Sequence, residues 1–267
     1  MTLPFFKYQG TGNDFVMVDD RAHRFDETNQ ALVHHLCDRR RGIGADGLIL
    51  LRQHPDYDFE MVYFNADGRV GSMCGNGGRC TVAFAKQLGV VDSTSTTRFL
   101  AADGPHEAQI DADGTVHLRM QDVAGYQPIE EHDGVFLNTG SPHFVRFMPA
   151  STLAELNVFA EGRAIRYGDL FKEHGTNINF VEKPATPDLP WQVRTYERGV
   201  EDETLSCGTG VTAVALAASQ HGAQSPVRLL TPGGELRVTF EALPDGAFTN
   251  VFLIGPATRV FEGSVEV

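Results

Sequence analysis

The feature that most constrains the fold is a short motif that occurs twice. The stretch CGNGGRCTVAFAKQLG (74–89) aligns with CGTGVTAVALAASQHG (207–222), and both begin with Cys-Gly-x-Gly and end in Gly. Two further pairs recur in the same order at similar offsets: TGNDFV (11–16) with TGSPHFV (139–145), and GADGLILL (44–51) with GTNINFVE (175–182). Ordered self-similarity of this kind predicts a duplicated domain.

Each half combines many strand-like runs with one unusual helix. The runs are FVMVD, LILLR, FEMVYF, VHLRM, FVRFM, INFVE, WQVRTY, VRLL, LRVTF and TNVFLI, separated by Gly, Pro and Asp turns. The helix predicted after each Cys-Gly-x-Gly is apolar on almost every face, which indicates burial. The predicted fold class is therefore α+β, with two pseudo-symmetric domains, each a strongly curved, mostly antiparallel sheet around a central helix. We expect an N-terminal domain at 1–118, to which 255–267 returns, and a C-terminal domain at 119–254.

The cysteines that open the two motifs, Cys74 and Cys207, lie at predicted helix starts. The first N–H groups of a helix lack internal partners and carry partial positive charge, so a thiolate or carboxylate is stabilised there. Such a position lowers the pKa of a cysteine from about 8.5. Two such ends facing each other across a cleft would allow one thiol to remove a proton from an α-carbon and the other to protonate its opposite face. This chemistry is racemisation or epimerisation without a cofactor.

The ordered motifs resemble the diaminopimelate epimerases from one end of the chain to the other. They are TGNDFVMVD, GIGADGLILL, YFNADG, MCGNGGRC, TGSPHFV, NINFVE, YERGVEDETLSCGTG and GPATRVFEG. The resemblance implies an isomerase that interconverts L,L- and meso-diaminopimelate without pyridoxal phosphate, in lysine and cell-wall precursor synthesis. It also implies a small-molecule substrate and a homodimer.

The resemblance also implies roles for individual residues. Cys74 and Cys207 match the two catalytic cysteines, assigned as donor and acceptor in the L,L to meso direction, and His143 and Glu197 match residues that tune them. The residues that match those holding the reacting carboxylate lie at the two helix starts: Gly75, Asn76, Gly208 and Thr209. Recognition of the distal amino acid end falls to Asn13, Asn65, Asn177, Glu197 and Arg198, where Arg suits a bidentate carboxylate pair and Glu an ammonium.

Two positions depart from the family pattern. Gly47 stands where many members have Gln, and it loses that side-chain contact. Ser141 stands where many members have Asn before Pro-His, and its hydroxyl can still form one hydrogen bond with the substrate.

Other functions leave specific signs in the sequence. A proline or hydroxyproline racemase shares the two halves and cysteines but typically has MCGHG in the first motif, whereas this chain has Asn76 and a YERG stretch. A non-catalytic binding relative would lack one or both cysteines. We expect no metal site, because Cys74 and Cys80 lack the spacing of zinc ligands. Cys80 and Cys37 are expected to be packed in the core.

The stretch GIGADG (42–47) matches the dinucleotide-binding pattern GxGxxG, but that pattern requires a strand before it and a helix after it. Here ALVHHLCDRRR predicts a helix before it and LILLR a strand after it, with Gly42 as the helix C-cap.

Charge and hydropathy exclude further partners. The net charge of -13 is spread along the chain, and such a surface repels a phosphate backbone, so no nucleic acid is expected. Apolar stretches such as VTAVALAAS are far shorter than the roughly 20 residues of a membrane span. Since the N-terminus has no export signal pattern, we expect a cytoplasmic protein.

Overall fold

A computed structural model describes residues 2–71 and 73–267. The first half of the chain forms β1 (Thr2–Gly10), β2 (Asn13–Asp19), α1 (Gln30–Cys37), β3 (Gly47–Arg52), β4 (Phe59–Asn65), α2 (Gly75–Gln87), β5 (Thr97–Ala101), β6 (Gly104–Ile110) and β7 (Val116–Arg119). The second half forms β8 (Gln127–Ile129), β9 (Gly134–Asn138), β10 (Pro142–Met148), α3 (Val158–Arg166), β11 (Asn177–Glu182), β12 (Trp191–Glu197), β13 (Asp202–Thr204), α4 (Gly208–Ala218), β14 (Val227–Thr231), β15 (Gly234–Ala242), β16 (Phe248–Gly255) and β17 (Thr258–Glu266). Each strand-like run of the sequence coincides with a strand to within two residues at either end.

The chain divides into two units, Met1–Leu118 with Gly255–Val267 and Arg119–Ile254. The strands of the first unit pair in the order β17, β1, β2, β3, β4, β5, β6, β7. Those of the second pair in the order β8, β9, β10, β11, β12, β14, β15, β16, with β13 as an extra strand beside β12. The parallel pairs also correspond, because β2–β3 and β4–β5 match β10–β11 and β12–β14, and the remaining pairs are antiparallel.

One helix lies at the centre of each unit. Helix α2 contacts β1, β2, β3, β4, β6 and β17, and α4 contacts β9, β10, β11, β12, β14 and β15. A helix can contact so many strands of one sheet only if the sheet curves around it. In α4, every residue except Thr209 is buried. The predicted α+β class, with duplicated curved sheets around buried helices, is confirmed.

The outer face of each sheet is covered by a shorter helix. Val33 and Leu36 of α1 pack with a cluster on the first sheet, and Val158 and Ile165 of α3 pack with a cluster on the second. Because both faces are covered, β3 is buried at every position.

The helix and strand predicted on either side of GIGADG are α1 and β3, which excludes the dinucleotide-binding arrangement. The prediction of Gly42 as the helix C-cap is wrong, because α1 ends at Cys37 and Asp38 is the capping residue. Gly42 instead lies where the chain passes back over the helix, and a Cβ there would stand 1.9 Å from the carbonyl oxygen of His35.

Within residues 2–71 and 73–267, no helix combines the length and apolar character needed to cross a membrane.

Candidate active site

The two motif cysteines occupy the same local geometry. Cys74 is the N-cap of α2, with φ -110° and ψ 126°, and Cys207 is the N-cap of α4, with φ -115° and ψ 112°. The carbonyl oxygen of Cys74 accepts the N–H of Gly78 at 2.7 Å, and that of Cys207 accepts the N–H of Val211 at 2.8 Å. Each sulfur therefore lies at the partially positive end of a buried helix.

Around Cys74, the structure brings together three of the residues singled out in the sequence. The Oδ1 atom of Asn13 accepts from Cys74 Sγ at 3.5 Å and from Asn76 Nδ2 at 3.3 Å. The Nδ2 atom of Asn13 donates to Asp46 Oδ2 at 2.7 Å. Because a carboxylate only accepts hydrogen bonds, Asp46 binds the amide nitrogen of Asn13. The amide oxygen of Asn13 is thereby directed toward the sulfur of Cys74.

Gly47 departs from the family pattern for a steric reason. It pairs with Asn65, which ends β4 and is exposed. A Cβ at position 47 would lie 2.5 Å from Cε2 of Tyr63 and 2.5 Å from the carbonyl oxygen of Phe64. Tyr63 was missed by the sequence analysis, although the two-residue period of a strand places it on the same face as Asn65. Its ring fills the space that a longer side chain at position 47 would take.

Around Cys207, a hydroxyl links the sulfur to a histidine. Thr209 Oγ1 lies 3.5 Å from Cys207 Sγ and 2.9 Å from His143 Nε2. His143 and Cys207 come from elements 60 residues and more apart in sequence, and strand β10 brings them together by passing under the start of α4. The geometry connects the imidazole to the sulfur through one hydroxyl group.

Two further side chains determine the tautomer of His143. Asn179 Nδ2 donates to the carbonyl oxygen of Phe144 at 3.0 Å and lies 3.1 Å from His143 Nδ1. Thr195 Oγ1 donates to Asn179 Oδ1 at 3.0 Å. Since the amide nitrogen faces a carbonyl that can only accept, it donates to Nδ1 as well, and the ring proton resides on Nε2. His143 then donates to Thr209, whose own hydroxyl hydrogen is available to Cys207.

His143 is a neutral group. Burial is the main cause that lowers its pKa to about 3, and the charge of Arg198 acts in the same direction. At neutral pH the ring therefore acts as a hydrogen-bond donor and not as a cation. Sequence reasoning identified His143, but Asn179 and Thr195 were not recognised.

The remaining predicted residues of the second unit gather at one sheet edge. Asn177 Nδ2 donates to Ser141 Oγ at 3.1 Å, and Asn177 Oδ1 accepts the backbone N–H of Arg198 at 2.9 Å. Glu197 Oε2 accepts from Thr204 Oγ1 at 2.8 Å. Strands β10 and β11 begin at this edge and antiparallel β12 ends there, which is why residues distant in sequence meet. Arg198 is exposed.

The two other cysteines differ from the motif pair. Burial raises the pKa of Cys37 and of Cys80 to about 12, so neither is a nucleophile at neutral pH. Both are buried, as expected from the sequence. Among the residues that the structure describes, no three His, Cys, Asp or Glu side chains are grouped so as to hold a metal ion.

Known proteins resemble the chain over almost its whole length. The family model described as diaminopimelate epimerase matches residues 5–124 and 135–260. A diaminopimelate epimerase of Flavobacterium psychrophilum is 50% identical over 266 residues, covering 98% of this chain and 100% of that protein. One of Aquifex aeolicus is 41% identical over 283 residues, covering 99% and 98%. Among solved structures, a phenazine biosynthesis protein of the PhzF family from Bacillus anthracis shares the fold, with a TM-score of 0.75, 15% identity and full coverage of both chains.

Proposed function

Since this chain belongs to the diaminopimelate epimerase family, we propose that it interconverts L,L- and meso-diaminopimelate by acid/base exchange between Cys74 and Cys207, without pyridoxal phosphate. The observation that carries the proposal is the closely similar N-cap geometry of the two cysteines on duplicated buried helices. Inversion of an α-carbon needs a base on one face and an acid on the other, and two equivalent thiols supply both.

The reaction balances without any further reagent. One cysteine thiolate takes the α-proton, and the electron pair of the C–H bond is delocalised toward the carboxylate. The second cysteine thiol gives its proton to the opposite face of the carbon. After one turnover the two sulfurs have exchanged protonation states, so the reverse reaction uses them in reversed roles. The N–H groups at Gly75 and Gly208 are suited to hold the carboxylate, where negative charge accumulates.

Hydrogen bonding at the two sulfurs supports their assignment in the L,L to meso direction. Cys74 Sγ donates to Asn13 Oδ1, which favours a protonated thiol at this position. Cys207 lies beside the hydroxyl of Thr209, which can donate to a thiolate. We assign Cys207 as the base that takes the proton and Cys74 as the acid that delivers one.

The distal amino acid end of the substrate requires groups that recognise a carboxylate and an ammonium. The exposed guanidinium of Arg198 suits the carboxylate, and the carboxylate of Glu197 suits the ammonium. Asn177 supports this end of the site, because its side chain accepts from the backbone N–H of Arg198 and donates to the hydroxyl of Ser141. Asn13 and Asn65 are assigned to the same end by their place in the family motifs.

The test is incubation of the purified protein with L,L-diaminopimelate in heavy water and, separately, with L-proline. We expect meso product that carries deuterium at the inverted α-carbon, because the donating thiol has exchanged with solvent. Substrate recovered early should carry much less deuterium, and L-proline should stay unchanged. Racemisation of proline in place of diaminopimelate, or a requirement for added pyridoxal phosphate or metal, would contradict the proposal.

We also propose that the protein acts in the cytoplasm as a homodimer. The cytosol keeps thiols reduced, as the two-thiol reaction requires. Strand β17, the outermost strand of the first unit, is exposed at every position except Val265. Val260 is 56% and Phe261 is 46% exposed. An exposed edge strand with apolar side chains is a surface for pairing with another chain, and we assign it to a second copy.

Phe261→Asp is therefore expected to convert the dimer into a monomer, because a charge in an apolar interface has no partner. Light scattering should give twice the 29.2 kDa chain mass for the wild type and the single mass for the variant. Leu189→Asp is the matched control, since Leu189 is 50% exposed in the other unit. A monomeric wild type, or a dimeric Phe261→Asp protein, would remove β17 from the interface.

A further inference from the structure

A row of buried polar side chains crosses the second sheet beneath the start of α4. It consists of Thr195 on β12, Asn179 on β11 and His143 on β10, which are 4%, 0% and 0% exposed. Asn179 and Thr195 are opposite each other in the register of the two strands. The row continues through Thr209 to the sulfur of Cys207.

The Asn179 amide sets the direction of the hydrogen bonds from Thr195 as far as Thr209. Thr195 donates to Asn179, Asn179 to His143 and His143 to Thr209, as the partners of the Asn179 amide require. The last member, Thr209, is left with a hydroxyl hydrogen that can point at Cys207. A hydrogen bond donated to a thiolate stabilises it, whereas one accepted from a thiol stabilises the protonated form.

The first unit shows that the fold does not need these polar groups. By strand register, Phe15 and Ile49 occupy the positions that His143 and Asn179 occupy in the second unit. Each pair of side chains packs under a glycine at the same position of the central helix, which is Gly77 in α2 and Gly210 in α4. A Cβ at Gly77 would meet Ile49 and Phe15, and a Cβ at Gly210 would meet Asn179 and His143. The same space is filled by apolar side chains in one copy and by a polar row in the other.

Burying a row of polar side chains costs desolvation free energy that an apolar core of the same shape does not. A reason other than stability is therefore needed to explain why the row is kept. The duplicated domain provides the apolar alternative within the same chain. The retained polar row is therefore explained by what lies at its end, which is the sulfur of Cys207.

We propose that Asn179 and Thr195 are positioning residues that lock His143 as its Nε2–H tautomer and thereby make Thr209 a hydrogen-bond donor to Cys207. The inference deepens the proposed function, on which it rests for the role of Cys207. Arg198, which directly follows β12, is the charged group that acts on His143, and Glu197 is the last residue of β12. Neither is a member of the row, and both stay unchanged in the variants below.

The first measurement is the ring nitrogen spectrum of His143 by NMR on ¹⁵N-labelled wild-type protein at pH 7, assigned by the signal that His143→Gln removes. We expect a neutral ring with its proton on Nε2. A proton on Nδ1, or a doubly protonated ring, would overturn the proposal. This measurement needs no variant of Asn179 and no substrate.

The second measurement uses Asn179→Asp, which replaces the donor to Nδ1 by an acceptor of nearly the same shape. The ring proton should move to Nδ1, so that Nε2 accepts from Thr209 and draws its hydroxyl hydrogen away from Cys207. We expect the pH midpoint of Cys207 alkylation, followed by mass spectrometry, to rise by about one unit, with that of Cys74 unchanged. Turnover should fall about tenfold with little change in KM.

Thr195→Val should give the same shifts in weaker form, because Asn179 keeps its bond to the Phe144 carbonyl. Ile49→Val, at the position in the first unit that corresponds to Asn179, is the matched control and should behave as wild type. An unchanged tautomer and an unchanged Cys207 midpoint in Asn179→Asp would overturn the proposal. If the NMR and alkylation results hold but diaminopimelate is not epimerised, the proposed function fails while the role of the row stands.

Discussion

Replacing either Cys74 or Cys207 by serine is expected to lower epimerisation by roughly 10³-fold or more while the protein stays folded. A serine hydroxyl is far less acidic than a thiol at the same helix start, so it can neither hold the charge of the base nor release a proton readily. Stability should be kept because both residues are N-caps, a position at which serine is favoured. Steady-state kinetics beside thermal unfolding measure the two effects separately.

The matched control is Cys37→Ala, which removes a thiol that burial keeps protonated. It should cost stability, since Cys37, the last residue of α1, packs in the core, but turnover per folded molecule should equal that of the wild type. If Cys74→Ser or Cys207→Ser retained wild-type turnover, the two-thiol reaction would be wrong.

Arg79→Gln is expected to lower kcat/KM by about 100-fold, because it removes a whole positive charge from the start of α2. Arg79 is completely buried. Its Nη2 donates to Asn76 Oδ1 at 3.1 Å and its Nη1 to the carbonyl oxygen of Gly75 at 3.5 Å, so it supports two of the four residues assigned to the reacting carboxylate. Burial lowers the pKa of the guanidinium, which nevertheless stays charged in proteins.

The charge of Arg79 has no buried carboxylate to compensate it among the described residues. The titratable groups that interact with it are Cys80 and Cys74, and Cys80 is held protonated by burial. The carboxylate of the substrate, which gains negative charge as the α-proton leaves, is an anion that this cation can stabilise. Kinetics of the variant at saturating and limiting substrate, corrected for the folded fraction, measure the effect.

The duplicated helix provides the control for Arg79. Thr212 occupies the corresponding position in α4, is also fully buried, and donates to the carbonyl oxygen of Gly208 at 3.0 Å. Thr212→Val should leave kcat/KM within a few-fold of wild type, and Arg79→Lys, which keeps the charge, should lose less than Arg79→Gln. Equal kinetics of Arg79→Gln and wild type per folded molecule would make Arg79 a purely structural residue.

The fold class was predictable because its signals are local. A Cys-Gly-x-Gly motif followed by an apolar helix is visible in a few residues, and its recurrence requires only a comparison of the chain with itself. Ten strands were found for the same reason, since their apolar runs are bounded by turn residues, whereas β1, β5, β6, β8, β9, β13 and β17 were not among the predicted runs. Helix α3 was missed because VFAEGRAIR is short and charged, and only its inner side, with Val158 and Ile165, packs in the core.

The site was only partly predictable, because register between strands decides which side chains meet. Asn177 and Glu197 were identified from motifs, but Asn179 and Thr195 lie two residues away on the same strand faces and attracted no attention. Their period-two spacing was a usable signal. The sequence does not show that strands β10, β11 and β12 pair in a register that brings His143, Asn179 and Thr195 into one row. Arg79 was passed over, although the predicted burial of its helix was a usable signal that this charged side chain is buried.

The first unit is completed by a strand from the end of the chain, whereas the second unit is one continuous stretch. This difference sets an order for folding during synthesis. The second unit is built from one uninterrupted stretch, so all its strands are present once β16 has left the ribosome. The first unit must wait for β17, which pairs with β1 from Thr2↔Glu266 to Gln9↔Thr258. Until then β1 presents an unpaired edge, the kind of surface that attracts other chains and chaperones. The half of the protein that is made first is therefore the half that is finished last.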